Sequence, residues 1–121
     1  MICHPESKMW ELCKGNADNA DGRTAFDGMR RGDETAKEVV ERYLNYLAEG
    51  IANIVNVFRP QAVLIGGGIS AEGEALTQPL QKMVGTRILG HGRYAPVTIR
   101  AASLGNDAGL VGAAMLAKEI R

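Results

Sequence analysis

Apolar residues at Val40, Tyr43, Leu44, Leu47, Ile51, Ile54, Val55 and Phe58 follow one another in steps of three and four. That spacing predicts one face of a long helix opened by Asp33 as its N-cap. Lys37 with Glu41 and Glu38 with Arg42 offer i,i+4 charge pairs on the opposite face. Pro60 is expected to stop the helix, because it disfavours helical geometry at Arg59 and has no N–H to donate. Next comes AVLI, Ala62 to Ile65. It is too short for a helix and lacks polar alternation, which predicts a parallel strand covered on both faces.

Around this centre the pattern is less regular. SKMWELC predicts a short helix presenting Met9, Trp10 and Cys13, and KGNADNADG reads as a polar turn. Thr24 and Asp27 suggest a capping-box variant opening a helix over TAFDGMRR that ends at Gly32. Ser70 is expected to cap a helix over AEGEALTQPLQKMV, with Pro79 marking a kink or a second start. GTRILGHGRYAP is a glycine-rich connection, VTIRAA a second strand, and Asn106 or Asp107 caps a last helix, AGLVGAAMLAKEI, with Lys118 in its final turn. The order helix, helix, strand, helix, strand, helix predicts an α/β fold built on one right-handed βαβ unit with two parallel strands. Two strands make a poor sheet alone, so the chain reads as part of a wider domain.

Composition narrows the function classes. Fourteen basic and fourteen acidic residues cancel, with no Lys/Arg block, so the 121-residue chain carries no electrostatic footprint for nucleic acid or an anionic membrane. No apolar run approaches the roughly 20 residues needed to span a bilayer. The first residues lack the basic-then-apolar order of a secretory signal, and the expected compartment is the cytoplasm. Cys3 and Cys13 make neither a disulfide framework nor a CxxC pair. With His4 and His91 they lack the paired spacing of structural zinc sites, so free thiols and no metal are expected.

The candidate chemistry lies in two glycine segments. In VLIGGGIS a strand runs into Gly66, Gly67 and Gly68, followed by Ile69, Ser70 and a helix, an arrangement that aims backbone N–H groups and a positive helix end at a phosphate. GGGIS is neither GxGxxG nor GxxxxGK[ST], so the dinucleotide and Walker readings fail on spacing. Glu72 and Glu74 also weaken the positive field in the next turn. Spacing alone leaves two readings open: a wall for adenosine or a phosphate, or close packing of strand against helix. In SLGNDAGLVGAAML, Gly105, Gly109, Gly112 and Ala113 form a small-residue stripe that reads as close packing. Asn106 and Asp107 read as caps, since a catalytic Asp107 would need a partner that the sequence does not locate. His91 reads as a loop residue and Trp10 as a core or interface anchor.

Taken together, LAEGIANIVNVFRPQAVLIGGGIS and SLGNDAGLVGAAMLA resemble the C-terminal portion of ROK-family sugar kinases, and MWELCKGNADNADGRTAFDGMRRGD resembles the helical stretch of their bacterial glucokinases. The resemblance covers nearly the whole chain. It implies part of an actin-like, ribonuclease-H-like fold, with residues 1 to 121 lying in the C-terminal part of the second lobe. It also implies an ATP-dependent hexose kinase as parent, using ATP with Mg to make hexose 6-phosphate. The nucleotide-side turn would comprise Gly66, Gly67, Gly68, Ile69 and Ser70, and no catalytic role carries over to Asn106 or Asp107.

The family's DxGGT phosphate loop, the loop pairing Asn with the catalytic Asp, the sugar-binding ExxGH segment and the CxCGxxGCxE zinc cluster do not occur in these residues. The expectation is therefore a fragment, inactive alone, whose hexose binds only in an intact enzyme. The Val63–Ile65 strand would keep an unpaired edge and uncovered apolar faces, which implies self-association. Two other parentages are consistent with the resemblance: a ROK-type repressor body, or a non-catalytic self-associating module.

Overall fold

The structure, a computed structural model, describes residues 2–119. In chain order its elements are α1 (Met9–Leu12), α2 (Gly22–Arg30), α3 (Glu34–Phe58), β1 (Ala62–Ile65), α4 (Glu74–Arg87), β2 (Thr98–Ala101) and α5 (Ala108–Glu119). Short 3-10 turns at Ala17–Asn19, Gly68–Glu72 and Gly105–Asp107 fall between them. The two strands pair in parallel, Ala62 opposite Thr98 through Ile65 opposite Ala101, with α4 as the crossover. The mixed α/β fold and the parallel pair are those expected.

Local chemistry explains most helix boundaries. Asp33 caps α3, accepting a hydrogen bond from the Ala36 N–H at 3.2 Å. Arg59 ends the helix in the left-handed region at φ 49°, just before Pro60. The start of α2 differs from expectation. Asp21 is its cap and accepts from the N–H groups of Arg23 and Thr24, while the Thr24 hydroxyl accepts from the Asp21 N–H. Thr24 is thus the third residue of the capping box and not its first, since Asp is the stronger cap. Ser70 likewise caps no α-helix. It lies inside the 3-10 turn and donates its hydroxyl to the Gly67 carbonyl, and α4 starts after Gly73 and runs continuously through Pro79. Asn106 and Asp107 fall within the 3-10 turn ahead of α5. Ile120, the expected last helical residue, lies outside the described residues.

The core lies between α2, α3, α4 and one face of the strand pair. Phe26, Val40, Leu44, Ile51, Val55, Leu76, Leu80, Val84 and Ile99 are buried there. The buried stripe of α3 also includes Ala36, Ala48 and Ala52, whereas Ile54 and Phe58 are exposed. Small side chains let neighbouring helices approach closely, so the alanines join Val40, Leu44, Ile51 and Val55 in the buried stripe. Phe58 is the last residue of the helix. Of the charge pairs expected on the outer face, Lys37 forms its ion pair with Glu34 instead, at 3.8 Å.

Helices α2 and α3 approach closely. A Cβ placed on buried Gly28 would stand 2.7 Å from the Ala36 Cβ and 2.9 Å from the Met9 Cγ. Alanine at position 28 gains about 1 kcal/mol of helix propensity. It must also push α3 away, and overpacking of this kind costs about 1–3 kcal/mol. Gly28→Ala is therefore expected to lower the urea midpoint. A midpoint equal to or above that of the parent would show that the helices have slack here.

The carboxyl of Asp33 is itself buried, which opposes its charge. The Ser7 hydroxyl, at 2.6 Å, and the N–H groups of Ala36, Lys8 and Met9 outweigh that burial and hold its pKa below the usual aspartate value. The Asp21 carboxyl is held low by Thr24 and Arg23. A depressed folded pKa stabilises the fold above the unfolded aspartate value of about 3.9. That contribution disappears as pH falls through the lower folded value. Melting temperature is thus expected to drop below about pH 4, and less steeply in Asp33→Asn, which keeps a capping side chain but cannot ionise. Equal slopes for the two proteins would exclude Asp33 as a contributor.

The sheet is covered on one face only. Val63, Ile65 and Ile99 point into the core, but Leu64 is 65% exposed and Arg100 is exposed beside it. Of the two expectations for this strand, cover on both faces is not met within these residues, whereas an uncovered apolar face is present at Leu64. The outer edge of β2 is closed by a side chain: the Gln81 amide donates to the Val97 carbonyl at 2.7 Å and accepts from the Ile99 N–H at 2.8 Å. Among the described residues β1 pairs only with β2, so its other edge has no strand partner.

Candidate nucleotide-side turn

Beyond Ile65 the backbone leaves the sheet through Gly66 and Gly67. Gly67 sits at φ 79° and ψ −172°, a conformation essentially confined to glycine. The 3-10 turn over Gly68–Glu72 then reverses the chain. Its first loop is tied by the Ser70 N–H and hydroxyl, both donating to the Gly67 carbonyl, at 3.1 and 2.6 Å. The three glycines are exposed, Ile69 is half-buried and Ser70 is buried.

A Cβ added at Gly66, Gly67 or Gly68 would meet nothing within 4 Å. Close packing of strand on helix, one of the two readings left open by spacing, finds no support within these residues. The backbone here is bare and faces open space. The second glycine segment lies alongside: a Cβ on Gly105 would come within 3.9 Å of the Ser70 Oγ, which brings the SLGNDAG loop against the GGGIS turn. Gly109 and Gly112 on α5 also have open space around them, and Leu110, Met115 and Leu116 are exposed, so beyond Gly105 the small-residue stripe has no packing neighbour among the described residues.

Electrostatics at the turn differ from the sequence expectation. Glu72 is buried, and its carboxylate is paired with the Arg30 guanidinium, which also holds Asp27 at 2.6 Å. Glu72 is thus ion-paired, sharing the single positive charge of Arg30 with Asp27, while Glu74 has no ion pair among the described residues. An apolar cleft of about 310 Å³ opens beside Ile69, between α2 and α3, lined by Ala25, Phe26, Val39 and Tyr43 with Asp21 at its rim. Phe26 and Tyr43 meet edge to face, ring centroids 6.4 Å apart. Sequence patterning missed this cleft because Phe26 and Ile69 lie 43 positions apart on different elements.

His91 is exposed in the turn after α4, Trp10 is half-buried with its indole N–H donating to the His4 carbonyl, Cys3 is exposed and Cys13 is buried. Among the described residues no group of three or more His, Cys, Asp or Glu is arranged to hold a metal, and no helix is long and apolar enough to cross a membrane.

Known proteins share both sequence and fold with this chain. It is 39% identical over 107 residues to a glucokinase of Thermotoga maritima, a match covering 87% of this chain and 33% of that protein. A Streptomyces coelicolor glucokinase is 36% identical over 109 residues, covering 89% and 34%. A β-glucoside kinase of Klebsiella pneumoniae is 33% identical over 96 residues, covering 79% and 30%. The chain thus spans about a third of the length of these relatives. The crystal structure of a ROK family glucokinase from Streptomyces griseus, in complex with glucose and AMPPNP, superposes with a TM-score of 0.86 at 32% identity. That superposition takes in 98% of this chain and 38% of the other, and it identifies the α/β core as part of an actin-like fold. The ROK family profile matches residues 7–120, and the chain belongs to the ROK family.

Proposed function

We propose that these residues form the C-terminal, nucleotide-side part of the second lobe of an ATP-dependent hexose kinase of glucokinase type, which converts hexose to hexose 6-phosphate. Gly66, Gly67, Gly68, Ile69 and Ser70 form a wall against adenosine and its phosphates, with ATP entering as its Mg complex. The observation that carries this reading is the open space around all three glycines: the backbone conformation of Gly67 accounts for that residue, while Gly66 and Gly68, with no packing neighbour among the described residues, are open to close approach of a ligand. The cleft beside Ile69 adds apolar and aromatic surface suited to a flat base. Similarity to kinases in every relative described above favours the enzyme over a repressor body. Calorimetric titration of ADP is expected to show binding by the parent chain that is weakened in Gly67→Val, and parent-like binding by the variant would count against the turn as a nucleotide wall.

Phosphoryl transfer needs positioned phosphates, metal-bound charge and an oriented hydroxyl. The 121 residues lack the DxGGT loop and the Asn–Asp loop that supply these in the family. Purified 121-residue chain is therefore expected to give no ATP-dependent glucose phosphorylation above background.

A self-associating module is favoured by the surface. Leu64, Leu110, Met115 and Leu116 are each more than half exposed, and the edge of β1 has no strand partner among the described residues. Gln81 blunts the β2 edge, so β1 is the side at which copies pair. Sedimentation at about 50 µM is expected to show species heavier than one chain, shifted toward monomer by Leu64→Lys. A folded monomer throughout that concentration range would exclude this association.

A further inference from the structure

The turn carrying the glycines has few fixtures. Its first loop is closed by Ser70 on Gly67, but its far end, Glu72, is held by a side chain 42 positions away in sequence. Glu72 is 5% exposed at its side chain, and its carboxylate accepts from Nη2 of Arg30 in the last turn of α2. Nη1 of the same guanidinium donates to Asp27 at 2.6 Å, one helical turn earlier, which fixes the fork's orientation. At the other end of α2, Ile69 Cδ1 lies 3.9 Å from where a Gly22 Cβ would stand. The turn is therefore laid along α2 and touched at both ends. The Arg30 side of the pair is about half exposed, so solvent screens it and the pair is weak evidence of net stability. What a forked, charge-assisted pair supplies is direction.

We propose that Arg30 and Glu72 are positioning residues that pin the Gly66–Ser70 turn against α2 and keep its bare backbone preformed for the nucleotide. The pinning itself follows from the pair's geometry, while its use in nucleotide binding rests on the function proposed above.

Two readouts separate these layers in the 121-residue chain. Amide hydrogen exchange compares residues 66–73 with the core of α3, residues 44–55. Glu72→Gln is expected to speed exchange in the turn by about tenfold while leaving α3 unchanged, the signature of local opening. ADP affinity should fall about tenfold in the same variant. Arg30→Lys keeps the charge but loses the fork, so it should show both changes to a smaller extent; it also serves if Glu72→Gln does not fold. Equal exchange changes in the turn and in α3, or no change in the turn, would overturn the pinning. Unaltered ADP affinity beside faster exchange would overturn its use in binding. If the parent chain binds no ADP, the proposed nucleotide role fails, and the exchange comparison alone decides whether the pair holds the turn.

Discussion

Leu80→Ala is expected to lower stability by about 2–5 kcal/mol, the range for truncating a buried leucine in a core that cannot fully collapse. Leu80 has no exposed surface and projects from α4 into the cluster it forms with α3 and the strand pair. Removing its branched end costs the transfer free energy of the lost methyls and leaves a cavity walled by Leu76, Val84 and residues of α3. Domains are stable by only about 5–15 kcal/mol, so the loss takes a large share of the total. Here the core has one sheet face and three helices to draw on, so the remaining margin is small. Urea unfolding measures the effect. Leu89, 75% exposed after α4, provides the comparison: Leu89→Ala should shift stability by less than about 0.5 kcal/mol. Similar midpoints for the two variants would mean that α4 is not seated on this core.

The second large effect concerns binding. Gly67→Val places a β-branched residue at φ 79° and ψ −172°, where such residues are strained by about 1–3 kcal/mol. The turn must reshape, and a side chain then occupies the space that the proposed nucleotide enters. ADP affinity is expected to fall at least about tenfold, read by calorimetry. Gly68→Ala separates strain from proximity. Gly68 does not have the left-handed φ of Gly67, and its added methyl meets nothing within 4 Å, so the fold should be unaffected. Weaker ADP binding by Gly68→Ala at unchanged stability then reports a ligand lying against the glycines. Parent-like binding by both variants would remove Gly66–Ser70 from the nucleotide site.

Much of the fold was legible in the chain because its signals are local. Asp33 before an apolar period of three and four marks the start of α3, and Pro60 marks its end. Four apolar residues ahead of three glycines mark a strand and a break. These features depend on backbone geometry and near neighbours, which sequence order preserves. The start of α2 was misplaced for a local reason as well: Asp21 and Thr24 are both capping residues, and their relative roles depend on which N–H groups each side chain reaches.

Other features depended on contacts between distant positions. Alanines at 36, 48 and 52 became core while Ile54 and Phe58 stayed exposed, because burial follows the neighbouring helix more than side-chain hydropathy. Glu72 looked like a charge near the glycines until Arg30, 42 residues away, was found to pair with it. The open space around Gly66–Gly68 among the described residues is a property of three dimensions that no spacing encodes. By itself the sequence determined the elements, their order and the family resemblance, since these rest on short-range geometry and motif. Only the tertiary structure decided which faces are covered, which charges are paired and which backbone stays bare, since each depends on groups brought together by folding.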